Sequence, residues 1–176
     1  MLSPQQLFAR LDALGLAHRT VEHVPVFTVE ESKQHRGVLP GHHIKNLFLR
    51  NKKEAMWLVV ALEHRTIDLK KLGERLGAGR LSFGSPERLR SYLGVEPGSV
   101  TPFSVVNDTR HAVRLVLDEG LKESGPVNAH PLTNSMTTAI ALADLLRFFE
   151  ATGHTPQWLD LGLDLGLDLG LHLAAG

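Results

Sequence analysis

The chain has 176 residues, no cysteine, and 19 basic residues against 19 acidic ones, so its formal net charge is zero with histidine neutral. That length supports one domain with a core large enough to need no staples, and the lack of cysteine removes thiol nucleophiles, zinc–thiolate centres and disulfide frameworks, in keeping with a reducing compartment. With no overall positive field, any nucleic acid has to be met by a local patch, and Arg50 with Lys52 and Lys53, Lys70 with Lys71, Arg75 and Arg80, and Arg88 with Arg90 are the candidates, each of which also reads as an ordinary solvated face.

The N-terminal stretch "MLSPQQLFARLDALG" lacks the basic-then-apolar build of a secretory signal, and no apolar run approaches the roughly eighteen residues of a membrane span. The expectation is a soluble, cytoplasmic protein with no membrane partner. Ser3 and Pro4 form an N-cap and N1 pair, and Leu7, Leu11 and Leu14 follow at helical spacing until Gly15 stops the run. "HRTVEHVPVF" alternates like a strand. "TVEESKQHRG" carries Thr28 and Glu31 at capping-box spacing and ends on Gly37. "IKNLFLRNKKEAMWLVVAL" reads as a hairpin of two apolar strands around the polar turn Asn51 to Glu54, and because both faces are apolar the sheet is covered or curled.

Asp68 caps a helix through Leu76 with Gly77 behind it, and Ser85 with Pro86 opens another that closes at Gly94. "HAVRLVLDEGL" and "GPVNAHPL" look like later strands, and "IALADLLRFFEATG" is an amphipathic helix ending at Gly153. This order of hairpins and helices predicts an α+β fold with a mixed, largely antiparallel, curled sheet or barrel flanked by helices. From Leu159 the chain repeats Leu-Asp-Leu-Gly three times, a period too short for a solenoid unit and one that sets no strand register. We therefore expect a domain over 1–158 and a tail over 159–176.

One lysine is out of place. Alternation in "HHIKNLFLR" puts Lys45 on the same face as Leu47 and Leu49. An unpaired buried ammonium costs several kcal/mol, about what burying the two leucines returns. Lys45 therefore either snorkels from a strand end or faces a polar cavity.

Standard nucleotide and zinc-protease motifs are absent. There is no GxxxxGK[ST] loop and no HExxH, "GAGRLSFG" does not match a dinucleotide fingerprint, and His42 and His43 point to opposite faces of a strand, so no metal or cofactor is expected. Three stretches do gather hydrogen-bonding and turn-forming residues: "GHHIKN", "EPGSVTPF" and "NAHPLTNSMTT". Singly each is a capped turn with a satisfied histidine; jointly they point to a pocket.

The motifs Lys45-Asn46-Leu47-Phe48-Leu49, Pro97-Gly98-Ser99-Val100-Thr101-Pro102-Phe103 and His130-Pro131-Leu132-Thr133-Asn134, in this order, resemble the free-standing editing proteins related to the insertion domain of bacterial prolyl-tRNA synthetase, the YbaK superfamily, and within it the branch that deacylates alanyl-tRNA(Pro) in trans. The resemblance covers about residues 1 to 158. Ser104 stands where many relatives have glycine, and the Leu-Asp-Leu-Gly tail lies outside the family pattern. What the resemblance implies is an aminoacyl-tRNA deacylase without cofactor or metal. Lys45 and Asn46 would be its catalytic residues, with Gly98, Ser99, Val100, Thr101, Pro102, Phe103, His130 and Asn134 binding the substrate. Lys45 would act electrostatically on the acylated tRNA end, the turn over 98–103 would offer backbone amides to the acyl group, and water aided by the terminal ribose hydroxyl would attack. His130, steadied by Pro131, would be a pocket wall. The implied partners are the acceptor end of tRNA(Pro) and prolyl-tRNA synthetase. The alternatives are a relative clearing cysteine or serine, and a non-catalytic module that holds the acceptor end or the synthetase.

Overall fold

The computed structural model describes residues 1–26, 28, 30 and 39–162. Most of the helix expected over Thr28 to Gly37 and most of the C-terminal repeat lie outside the described residues.

Helix α1 (Pro4–Ala13) starts where the Ser3–Pro4 pair predicts: the Ser3 hydroxyl accepts from the Gln6 amide, and the Gln6 side chain closes a capping box on the Ser3 amide. Strand β1 (His18–Glu22) follows, and then β2 (His42–Arg50) and β3 (Met56–Leu62) form the expected antiparallel hairpin. Its turn is odd-numbered. The Glu54 amide bonds the Asn51 carbonyl, and Glu54 adopts a left-handed φ of 66°. The Asn51 side chain braces the turn by accepting from the Lys53 and Ala55 amides. This is a three-residue loop closed by a left-handed residue, and it fixes the register so that Lys45 pairs with Ala61 and Asn46 with Val60.

Helix α2 (Leu69–Leu76) is capped by Asp68 and closed by Gly77, and strand β4 (Ser82–Phe83) pairs with the far end of β2. A short helix α3 (Pro86–Arg88) opens on the Ser85 hydroxyl and continues as a π-type turn to Leu93. The 96–103 stretch ends in a 3-10 helix over Pro102–Asn107. The remaining elements are β5 (Val113–Asp118), β6 (Val127–Ala129), β7 (Met136–Ile140), α4 (Leu142–Thr152) and β8 (Gln157–Leu159). Strands β4, β7 and β8 escape the sequence reading, and Ile140 belongs to β7 rather than to the last helix. Met136–Ile140 pairs with β1 on one side and β6 on the other, so tertiary pairing overrides a helical-looking pattern.

The sheet runs β1-β7-β6-β2-β3-β5-β8, with β4 beside β2. It is mixed, and it stays open: β1 and β8 are the two ends of the path, so the barrel alternative does not form. Strand β3 is buried along its whole length and sends its residues to two cores. Met56, Leu58, Val60 and Leu62 meet Leu7 and Leu11 of α1 and Leu145, Phe148 and Phe149 of α4, while Trp57, Val59 and Ala61 meet Leu72 of α2. Helices therefore cover both faces of the centre, as the doubly apolar strands require. Leu159 lies in β8 and Leu161 is buried in the second core, so the first copy of the repeat is part of the fold.

Candidate active site

The chemistry gathers where β2 leaves β6. The two strands run parallel only at His42–Val127 and His43–Asn128, while on the same edge β2 meets β4 only from Leu49 onward. Gly41 makes the entry possible: its φ is 100°, and a Cβ there would stand 2.4 Å from the Pro126 carbonyl oxygen that accepts the His42 amide. Between these pairings the β2 edge opens on a cavity of about 40 Å³ lined by His43, Ile44, Asn46, Glu63, Asn128, Ala129, His130 and Thr137.

Its polar lining is tied down from behind. The His130 Nδ1 donates to the Met136 carbonyl at 2.9 Å, and His43 donates through Nε2 to the Leu39 carbonyl at 2.9 Å. Asn128 spends its amide nitrogen on the Pro40 and His42 carbonyls. Burial pulls the His130 pKa below the usual histidine range; the Met136 carbonyl opposes this and His23 adds to it. His130 is therefore neutral at pH 7. The backbone that carries it is tightly wound: the Leu132 amide returns to the His130 carbonyl, and Leu132 holds a left-handed φ of 66°. A branched residue pays for that conformation, and Leu132 keeps it by packing against the first core.

Asn46 contributes a buried Oδ1 that has no hydrogen-bond partner, the one such side-chain atom among the described residues. A buried polar atom left unmatched costs about 1–3 kcal/mol, so its presence at a cavity marks binding capacity held in reserve.

Lys45 answers the question its position raised. It lies on the Leu47 and Leu49 side of β2, half-buried, and its ammonium donates to the Arg65 carbonyl. Burial lowers its pKa and the Glu63 carboxylate partly restores it. Arg65 is itself anchored, its Nε 3.0 Å from the buried Asp118 carboxylate, which also takes the Leu62 amide. Lys45 is therefore held by the Arg65 carbonyl, within electrostatic reach of Glu63, and is not one of the cavity walls.

The other expected residues divide. Thr101 caps the 3-10 helix, accepting from the Phe103 amide, and its carbonyl takes the Ser104 hydroxyl and amide. The Ser99 amide bonds the Glu96 carbonyl across a turn in which Gly98 has φ 90°. Phe103 lies in the first core, Val100 packs against it, and Pro102 is buried. Two amides of this turn, Ser99 and Phe103, are thus spent within the segment. Asn134 donates to the Val26 carbonyl at 2.7 Å and ties the 130–135 loop to the chain after β1. Of the residues singled out from the sequence, Asn46 and His130 share the cavity.

Glu63 went unnoticed in the sequence. A four-residue turn from Asn51 to Glu54 would have set the hairpin off by one, whereas the observed turn puts Glu63 beside His43, whose carbonyl accepts the Glu63 amide at 2.9 Å. The signal available was the first acidic residue after the apolar run of β3. No group of three or more metal-ligating side chains is brought together among the described residues, and no helix in them is long and apolar enough to cross a membrane.

The family model for the aminoacyl-tRNA editing domain matches residues 23–148, which include β2, the cavity and most of both cores. The chain belongs to this family. It is 38% identical over 162 residues to the prolyl-tRNA editing protein ProX of Acetoanaerobium sticklandii, covering 92% of this chain and 99% of that one. It is 43% identical to the prolyl-tRNA synthetase associated domain-containing protein 1 of Danio rerio, covering 83% and 80%. A solved structure of a candidate trans-editing enzyme for prolyl tRNA synthetase superimposes with a TM-score of 0.67 at 25% identity, over 96% of this chain and all of the other. Editing of an aminoacyl-tRNA is hydrolysis of the ester between an amino acid and the terminal ribose, so the protein is an aminoacyl-tRNA deacylase.

Proposed function

We propose that this editing enzyme acts in trans on tRNA(Pro) mischarged with alanine by prolyl-tRNA synthetase. The observation that carries this reading is the size of the cavity at the β2–β6 fork. By the same measure a water needs roughly 10–15 Å³, so about 40 Å³ admits a small side chain and little more. The need for such a sieve follows from energetics: a synthetase pocket shaped for proline loses only about 1–3 kcal/mol per missing methylene and cannot reject alanine sharply.

In this reading water, aided by the terminal ribose hydroxyl, attacks the ester carbonyl carbon. The bond to the ribose oxygen breaks, the oxygen takes up a proton, and free alanine and tRNA leave. Lys45 supplies positive charge beside the reacting end, where it is partly withdrawn from water. Asn46 positions the acyl group, the turn over 98–103 frames it, and His130 is the wall that sets volume. The test is incubation of the purified protein with alanyl-, seryl-, cysteinyl- and prolyl-tRNA(Pro), followed by measurement of the remaining ester. The alanyl ester should be cleared first and the prolyl ester spared. Preferential loss of the cysteinyl or seryl ester would reassign the substrate, and survival of all four would make the protein a binding module.

A further inference from the structure

One face of the sheet continues past the cavity. Residues paired across neighbouring strands share a face, so the pairs His43–Asn128, Asn128–Ala139 and Ala139–Arg19 trace a row over β2, β6, β7 and β1. Lys45, two residues along β2 from His43, lies on that same face. So do Thr137 and Val21, which pair with each other. Over β2 and β3 this face packs on Leu72 of α2. Over β6, β7 and β1 it carries a hollow of about 360 Å³, with carbon walls that include Val21, Pro40, Pro126 and Ala139 and with Arg19 beside them. Asn128 and Thr137 line both this hollow and the cavity, so the two adjoin.

The two differ in kind. The cavity of about 40 Å³ takes a small side chain, whereas about 360 Å³ with mainly carbon walls falls in the range of sites for whole small molecules, roughly 300–1,000 Å³. An aminoacyl ester held in the first is covalently joined to a ribose, and the base on that ribose has to be accommodated nearby. We propose that the larger hollow binds the terminal adenosine of the tRNA, with its base between Val21, Pro40, Pro126 and Ala139 and its 5′-phosphate on Arg19. This rests on the deacylase reading and names where the last nucleotide of the substrate is held. Arg19 is exposed and has neither an ion pair nor a side-chain hydrogen bond among the described residues, so its guanidinium is available to a phosphate. The row from His43 to Arg19 crosses three strand spacings, roughly 14 Å, the scale of one nucleotide. Asn128 commits its amide nitrogen to the Pro40 and His42 carbonyls and so meets a base with its oxygen, an acceptor that fits the 6-amino group of adenine and not the 6-oxo group of hypoxanthine. A second hollow, beside α2, is lined by Lys70, Glu74 and Arg80 but shares no residue with the cavity, so the ester does not lead into it.

Binding is read by NMR titration of the whole protein with adenosine 5′-monophosphate, inosine 5′-monophosphate and adenosine. Adenosine monophosphate at millimolar concentration should shift the Val21 and Ala139 amides and the Asn128 side-chain amide, and the inosine nucleotide should bind about 2- to 10-fold more weakly for want of one hydrogen bond. No shift, or shifts confined to the hollow beside α2, would overturn the proposal. Ala139→Leu, which fills the hollow from the face of β7 opposite the first core, should remove those shifts. It should also raise KM for alanyl-tRNA(Pro) by at least about fivefold with kcat nearly unchanged, because the base contributes equally to the ground and transition states. Arg19→Gln changes an exposed, unpaired side chain and should bring the affinity for adenosine monophosphate down to that for adenosine. Wild-type nucleotide binding in both variants would likewise overturn the proposal. If the wild type hydrolyses no ester at all, the deacylase reading fails while the titration still decides whether the hollow holds a terminal adenosine.

Discussion

Two histidines in this protein, one buried and one half-buried, sit in opposite circumstances. His154, 6% exposed, has both ring nitrogens partnered, Nε2 by the Asp108 carboxylate at 3.0 Å and Nδ1 by the Thr152 hydroxyl at 2.9 Å, and Asp108 also takes the Ala112 and Val113 amides. His130 has one nitrogen partnered, and beside it Asn46 has an oxygen with none. A polar cluster whose groups are all matched fixes the chain; one with capacity to spare is where a ligand enters. The Asp108–His154 pair locks the segment after the 3-10 helix to the end of α4, and the β2–β6 fork keeps its acceptors open.

That contrast is broken most directly at Asp108. Asp108→Ala leaves two amides and a ring nitrogen in the interior without their acceptor, and removing one member of a buried pair costs about 3–5 kcal/mol. Urea unfolding should show this loss as a lower midpoint, with the deacylation rate per folded molecule unchanged. A cost below about 1 kcal/mol would mean that the cluster is as loosely matched as the fork.

Lys45→Ala should do the reverse. Removing charge stabilisation at a transition state typically costs about 10²–10³ in rate, roughly 2.7–4 kcal/mol. Stability should hold or rise slightly, because burial already disfavours the charged form of this lysine. Wild-type activity in a variant of unchanged melting temperature would remove Lys45 from the mechanism. The Arg65 carbonyl that holds it depends on Asp118, where burial works to raise the carboxyl pKa but the Arg65 guanidinium and two amides outweigh it and keep it ionised.

Much of this was legible in the sequence, and the losses have specific causes. Caps identified α1, α2 and the last helix, since Ser3, Asp68, Gly77 and Gly153 act locally. Strands β7 and β8 were missed because they are short and defined by their neighbours: Met136–Ile140 is flanked on both sides, and Gln157–Leu159 is laid parallel to β5 by contacts from distant chain. At the site, Asn46 and His130 were reached through the motifs that carry the family resemblance, whereas Glu63 depended on a register that one turn residue decides. Which atoms of a side chain are spent and which are spare is a property of the folded neighbourhood, and only the structure displays it.

A smaller effect concerns the wall. His130→Ala should enlarge the cavity and relax the sieve, raising hydrolysis of seryl-tRNA(Pro) relative to alanyl by about tenfold, within the roughly 1–3 kcal/mol that overfilling a tight site costs. The two rates measured on the same tRNA decide it. If every ester is lost equally with the fold intact, His130 takes part in the chemistry and the wall lies elsewhere.

The finest distinction between the two histidine clusters is their response to acid. The His130 pKa is lowered in the folded protein, so between that value and the unfolded value near 6.5 the unfolded chain binds more protons. Its contribution to stability is therefore complete above about pH 6.5 and is lost as pH falls through the folded pKa, with a slope of at most about 1.4 kcal/mol per pH unit. Asp108 and Asp118 also have lowered pKa values: burial alone would raise them, but their hydrogen bonds and the charges of His154 and Arg65 prevail. Their stabilisation is present above the unfolded carboxyl value near 3.8 and disappears only as pH falls through the lower folded values. Denaturant midpoints measured from pH 8 to pH 3 should accordingly decline in two limbs, a shallow one beginning near 6.5 and a steep one below about 4. His130→Gln should flatten the first limb and leave the second, and Asp108→Asn should blunt the second and leave the first. A single acid limb in the wild type, unchanged by His130→Gln, would show that His130 titrates as it does in the unfolded chain and that the fork is wetter than its lining implies.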